Sequence, residues 1–256
     1  MPHTIAFIGA SGGCGLAALQ RAVAAGHTCV ALCRKPAKMD AHFPSRPPNL
    51  VVLAGNAHDA DAVAACLVRP DDGSRLVDAV HVSVGGQLDL KTRTLDDPDV
   101  CKKATDCVLS ALATLRVQHR SQGEGQGEGQ AQAPHRPLLT VISTTGVSRF
   151  GRDVPLAMLP MYKWLLHQPH ADKAVMETRL AASGERVVVV RPSFLKDEAR
   201  PDRPVRVGVE DPVKGVEVRQ VGYFISRDDV GRWVYDNLLQ NPDQCQYEGK
   251  AVSLSW

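Results

Sequence analysis

The chain alternates short, continuous apolar runs with longer stretches in which apolar residues recur at helical spacing. Runs at 5–8 (Ile5, Ala6, Phe7, Ile8), 28–33, 49–54, 76–84, 138–143 and 187–190 with Arg191 predict buried strands. Between them, helices are predicted over an alanine-rich stretch ending at Gly26 and over 59–68, with Asp59 near its cap. A third covers 99–118, where Val100, Cys107, Val108, Ala111, Leu112 and Leu115 form one stripe. A short one follows at 161–167, then one from Pro169 to a stop at Gly184. The pattern closes with a small strand at 223–226, a helix over 227–239 and a strand at 251–254. Asp228 and Asp229 read as the N-terminal cap of that last helix. Strand and helix in alternation predict an α/β fold with a parallel sheet, in one domain over 1–256.

Two segments break this rhythm. Residues 118–137 contain SQGEGQGEGQAQAP, a run of Gly, Gln and Glu that cannot bury enough apolar surface to offset its ordering entropy. It reads as a disordered surface insertion. Residues 194–222 are polar, proline-rich and poorly periodic, and read as loops covering a substrate, with a short strand at 205–209. Composition adds few constraints: 44% of the 256 residues are hydrophobic, enough for a normal core. A net charge of +2 is too balanced for an electrostatic nucleic-acid binder. No run is long and apolar enough to span a bilayer, and the first strand begins too early to leave room for a targeting segment. The expected partner is a small-molecule substrate, with no nucleic acid and no membrane, for a monomer or homodimer in the cytoplasm. The seven cysteines are scattered and form no C-x-x-C pair, so neither a metal site nor a disulfide framework is expected.

The candidate chemistry begins where the first strand ends. Gly9, Gly12 and Gly15 follow one another at spacings of three, with Ser11, Gly13 and Cys14 between them, and a helix comes next. One glycine permits a sharp turn, and others let a pyrophosphate approach the backbone and the helix pack close to the strand. The helix N-terminus then offers free N–H groups to the phosphates. The alternative is a plain glycine turn. After the second strand come Arg34 and Lys35, with no carboxylate at the strand end. A basic residue there accommodates the 2′-phosphate of NADP, whereas an acidic one selects NAD; otherwise this is a solvated basic turn. Asn56 either reaches an adenine edge or caps a turn. Ser83, Val84, Gly85 and Gly86 would let a cofactor lie flat across the sheet edge, and Ser143, Thr144 and Thr145 would face its nicotinamide end.

Taken in order, GASGGCG, Arg34, VSVGG, ISTTG, DKAVMETRLAASG, VVVVRPSFL and ISRDDVGRWV resemble the atypical short-chain dehydrogenase/reductase family, in its NmrA-like and flavin-reductase-like (biliverdin-IXβ-reductase-like) branch. The resemblance covers nearly the whole chain apart from the Gly/Gln segment and the 196–220 loop. It implies a Rossmann-type, doubly wound parallel sheet that binds NADP(H), with a small C-terminal region over the substrate. It also implies a catalytic hydroxyl at Thr145, with Ser143 and Thr144 as near alternatives, and a lysine at Lys173 that holds the nicotinamide ribose. Pro192 and Ser193 join the cofactor-binding set, and Arg191 with Pro192 is expected to fix the strand exit beside the nicotinamide. The family's tyrosine position falls on Pro169, which cannot donate a proton. His170, Tyr162, His167 or water are the alternative donors, while Asp172 and Glu177 read as solvated helix charges. Three functions follow: an NADPH-dependent reductase of a small carbonyl, enone or flavin-like substrate; a non-catalytic NADP(H)-sensing regulator; or a non-redox isomerase, dehydratase or cyclase on the same fold.

Overall fold

Strand β1 (Thr4–Ile8) is buried along its whole length, and its side chains divide between two cores. Ile5 and Phe7 face one cluster, and Ala6 and Ile8 face the other. A strand that is apolar on both faces has to be covered on both, and helices do this here. The computed structural model describes residues 2–86, 88–89, 94–123, 135–164 and 166–256. In chain order the elements are β1, α1 (Gly13–Ala24), β2 (Thr28–Cys33), α2 (Ala37–His42), β3 (Leu50–Ala54), α3 (Ala60–Leu67) and β4 (Ala79–Val82). There follow a small hairpin of β5 (Leu88–Asp89) and β6 (Thr94–Leu95), α4 (Val100–Gly123), β7 (Leu138–Ile142), α5 (Leu159–Trp164), α6 (His167–Ala182), β8 (Val187–Pro192) and β9 (Phe194–Lys196). The chain then forms β10 (Arg206–Asp211), β11 (Gly215–Val218), β12 (Phe224–Ser226), α7 (Arg227–Val234) and β13 (Ala251–Ser255).

The main sheet has nine strands in the order β11-β10-β13-β8-β7-β4-β1-β2-β3. From β3 to β13 every pairing is parallel, and β10 and β11 close one edge antiparallel. The order 3-2-1-4 reverses direction at β1, so a crevice opens beyond the carboxyl ends of β1 and β4. Helices α1 and α7 pack together against one face, and α3, α4 and α6 against the other. The α4 stripe that reaches the core is Cys101, Ala104, Val108, Ala111, Leu112 and Leu115. The fold is therefore the expected doubly wound α/β sheet of Rossmann type.

Several boundaries differ from expectation. The fourth strand is shorter than 76–84, because Leu76 only bridges Val68 and the chain leaves the sheet after Val82. The helix expected to stop at 118 continues through Gly123, so the first part of the low-complexity segment is helical; 124–134 lie outside the described residues. Within 194–222 the strand expected at 205–209 is β10, and β9 and β11 are two further strands where only loops were expected. Val205, Val207 and Val209 alternate onto the core, and β10 gives the open edge of β13 a partner. The helix expected over 227–239 is an α-helix only to Val234, then a wider π turn over Tyr235–Leu239. Its cap is Ser226, whose Oγ accepts the Asp229 N–H at 2.9 Å, and Asp228 pairs with Arg21 instead. Among the described residues no helix is long and apolar enough to cross a membrane.

Candidate active site

The turn after β1 is shaped by space. Gly9 has φ +86°, and a Cβ there would lie 2.7 Å from the Ser83 carbonyl oxygen. A Cβ on Gly15 would lie 2.9 Å from both the Gly9 oxygen and the Ser83 Cβ. These two glycines let β1, the end of β4 and the start of α1 come together. Gly12 differs, since a Cβ there meets nothing within 4 Å. It is the N-cap of α1, no side chain caps that helix, and its first turn carries no acid. Uncapped N–H groups facing open space are what a diphosphate requires. Burial pushes the Cys14 thiol up to about 12, against the opposing charges of Arg227 and then Lys173. Two cations therefore act on the helix start, and Arg227 is the one that stands beside it, its Cδ 3.6 Å from where a Cβ on Gly13 would be.

Arg34 and Lys35 are exposed just beyond β2, and Arg34 makes no hydrogen bond or ion pair with a described residue. Asn56 is exposed too, and its Oδ1 accepts the His58 N–H at 3.3 Å, a turn-capping contact. At the end of β4 the Val84 carbonyl accepts from the Cys101 thiol at 3.4 Å, while Gly85 is exposed with open space at its Cβ position.

The three hydroxyls after β7 have separate surroundings. Ser143 is buried and donates to the Glu177 carboxylate. Thr144 is half-buried. Thr145 is buried, its Oγ1 is 3.3 Å from the Tyr162 hydroxyl, and its N–H donates to the Pro192 carbonyl at 3.1 Å. Burial raises the Tyr162 pKa despite the hydrogen bond from Thr145. His170 lies against Tyr162 with ring centroids 5.2 Å apart. Its Nδ1 is 2.5 Å from the Leu166 carbonyl and its Nε2 is 2.9 Å from the Thr145 carbonyl. Lys173 Nζ donates to the carbonyls of Ile142 at 2.9 Å and Ser143 at 3.3 Å, which places its charge at the end of β7. Ser193, just after β8, is buried, and its Oγ has no partner among the described residues. Pro169 sits in the first turn of α6, where a missing N–H costs nothing.

Two residues expected to be solvated are not. Asp172 is buried and accepts the N–H groups of Cys101 at 2.8 Å and Lys102 at 2.9 Å, so it caps α4 from across the fold. Glu177 chelates Arg191, with Nη2 to Oε2 at 2.6 Å, and Arg191 reaches Glu210 Oε1 at 2.8 Å. Burial opposes the Arg191 charge, but the bonds and attraction of the two carboxylates outweigh it and hold its pKa up. Nothing local to 177, 191 or 210 in the sequence signals this network, since α6, β8 and β10 meet only in the folded chain. Beside it, Ser148, Asp153, Glu210, Arg219, Gln220 and Ser253 line a shallow groove that is open to solvent. Asp153 Oδ1 accepts the Gly146 N–H at 2.9 Å, its buried Oδ2 has no partner among the described residues, and burial raises its pKa. Among the described residues no group of three or more His, Cys, Asp or Glu side chains could hold a metal ion.

The glycine cradle and crevice have a counterpart among known proteins, since a family model described as NAD(P)H-binding matches residues 9–242. The chain belongs to that family. It is 36% identical to the reductase pytE of Aspergillus terreus, over 99% of this chain and 98% of that protein. It is 33% identical to the oxidase pynE of Aspergillus niger, over 92% of each. A short-chain dehydrogenase/reductase from Veillonella parvula, solved in complex with NADP, has the same fold, with a TM-score of 0.70 at 12% identity over 100% of this chain and 95% of that one. The chain is thus an NAD(P)H-binding protein with a Rossmann-type fold and an NAD(P)-binding oxidoreductase.

Proposed function

We propose that the protein reduces a small carbonyl, enone or flavin-like substrate with NADPH. The observation that carries this reading is the hydroxyl pair of Thr145 and Tyr162, 3.3 Å apart, at the end of β7. NADPH supplies the hydride when it is bound. Gly9, Ser11, Gly12, Gly13, Cys14 and Gly15 form its diphosphate cradle, with Val84 and Gly85 beside them, and Arg34 with Lys35 receives the 2′-phosphate. That the Veillonella fold relative was solved with NADP supports the same choice. Asn56 borders the adenine side, and Ser143, Thr144, Pro192 and Ser193 border the nicotinamide side.

The substrate oxygen needs a proton, and Tyr162 holds one. Its raised pKa keeps the phenol protonated at neutral pH, and Thr145 orients it. The role that Pro169 cannot fill thus passes to a tyrosine on the preceding helix. Lys173 fixes the backbone that carries Ser143, and His170 braces the Thr145 carbonyl and the Tyr162 ring. The test is NADPH consumption at 340 nm (roughly the nicotinamide absorbance maximum) against panels of carbonyls, enones and flavins. Turnover of one class with matched product supports the reading. Cofactor binding with no turnover on any panel overturns it and favours the NADP(H)-sensing regulator that Pro169 also suggests.

A further inference from the structure

Arg227 opens α7 far from the glycine loop in sequence, yet it stands over that loop in the fold. Its Cδ is 3.6 Å from the position a Cβ on Gly13 would take. Three contacts bring it there. Ser226 caps α7 at the Asp229 N–H. Arg21 on α1 grips Asp228 with two hydrogen bonds of 3.0 and 2.9 Å. Gly231 lets the helices touch, for a Cβ there would be 2.4 Å from Ala17 Cβ and 2.8 Å from the Cys14 carbonyl oxygen. The guanidinium spends one N–H on Asp197 Oδ1, at 2.5 Å. The Asp197 side chain is 91% exposed, so water competes strongly for this ion pair and it stabilises little.

We propose that Arg227 is a ligand of the dinucleotide's diphosphate, which it takes in exchange for the Asp197 carboxylate. The proposal rests on the reading that the glycine loop holds a dinucleotide. A guanidinium pairs with phosphate oxygens through parallel N–H donors, and here the phosphates are already held by the N–H groups of α1. The Lys173 charge also acts on this helix start. The diphosphate is common to both nicotinamide cofactors, so Arg227 serves NADPH and NADH alike, whereas Arg34 serves only the 2′-phosphate.

The experiment measures Kd for NADPH and NADH by fluorescence titration of the full chain, with melting temperatures to confirm folding. Arg227→Gln is expected to weaken both cofactors by the same factor, about tenfold, as a charged hydrogen bond is lost. Arg227→Lys recovers part of that loss. Asp197→Asn is expected to tighten both about threefold, because it removes the competitor. Arg34→Ala weakens NADPH alone. The opposite signs at 227 and 197 separate ligand exchange from a merely structural ion pair, whose loss from either side acts in one direction. Unchanged affinities in Arg227→Gln overturn the proposal, as does weakening of NADPH alone, or weakening by both Arg227→Gln and Asp197→Asn. These readouts need no turnover, so absence of reductase activity with the expected binding pattern removes the proposed reaction and leaves this assignment standing.

Discussion

The two ends of the site are made in different ways. The glycine end comes from one unbroken stretch, 4–15, and works by leaving side chains out: Gly9 and Gly15 are where Ser83 would collide with a methyl group. The hydroxyl end is assembled from residues that only the fold brings together, with Thr145 after β7, Tyr162 on α5, His170, Lys173 and Glu177 on α6, and Arg191 on β8. One end is set by steric exclusion, of a continuous glycine stretch against the end of β4. The other is set by hydrogen bonds that persist only while several elements stay docked. A methyl group is enough to damage the first, whereas the second fails by losing a partner.

The sharpest way to break that distinction is within the glycine end itself. Gly15→Ala is expected to cost about 3 kcal/mol in urea unfolding, because its Cβ presses on two backbone-anchored atoms. Gly12→Ala, which meets open space, is expected to leave stability nearly unchanged and weaken cofactor binding instead. Equal losses of stability in the two variants would mean that the cradle is not steric in origin.

Between the two ends β4 carries His81, fully buried, with Nδ1 2.9 Å from Thr140 Oγ1. Burial lowers its pKa from 6.5 to about 4. The unfolded chain binds this proton and the folded chain does not, so stability is complete above pH 6.5 and falls as the pH drops toward 4. The expected loss is about 3 kcal/mol. His81→Leu should flatten that part of a pH series of urea melts, and an unaltered slope would assign it to other groups.

At the hydroxyl end, Tyr162→Phe keeps the ring and removes the proton. A fall of about 100-fold in kcat with unchanged Kd for NADPH is expected. Unaltered kcat would move the proton donor elsewhere and leave the hydroxyl pair a packing contact. The smallest effect is at Asp172, where Asp172→Ala should cost about 1 kcal/mol by uncapping α4. A solvated charge would cost nothing.

The same contrast explains what could be read from the sequence. Thr28–Cys33 was legible to the residue, and the caps at Asp59 and Gly184 nearly so, because strand burial and helix ends are written in adjacent residues. The strand at 205–209 was read nearly in place, but the edge it forms with β11 was not, since its pairing with β13 joins residues more than forty positions apart. The motif at 9–15 announced its dinucleotide, and the comparison with known proteins bears that out at the level of NAD(P)H. Asp172 and Glu177 looked like surface charges because helical periodicity reports which face is apolar, and their partners belong to other elements. Arg227 was invisible for the same reason, as its place over Gly13 comes from how α7 docks on α1.

Strand order in the main sheet has a consequence for how the protein is born. β13 lies between β8 and β10, yet it leaves the ribosome after both. The hairpin of β10 and β11 is therefore synthesised before the strand it must lean on, and waits unattached while α7 is made. Until β13 slides in, β8 presents an open edge and the nascent chain is at its most exposed to mispairing with a neighbour. A translational pause between 218 and 251 would prolong that interval, and this is the stretch where slow codons or a bound chaperone would act on the yield of folded protein.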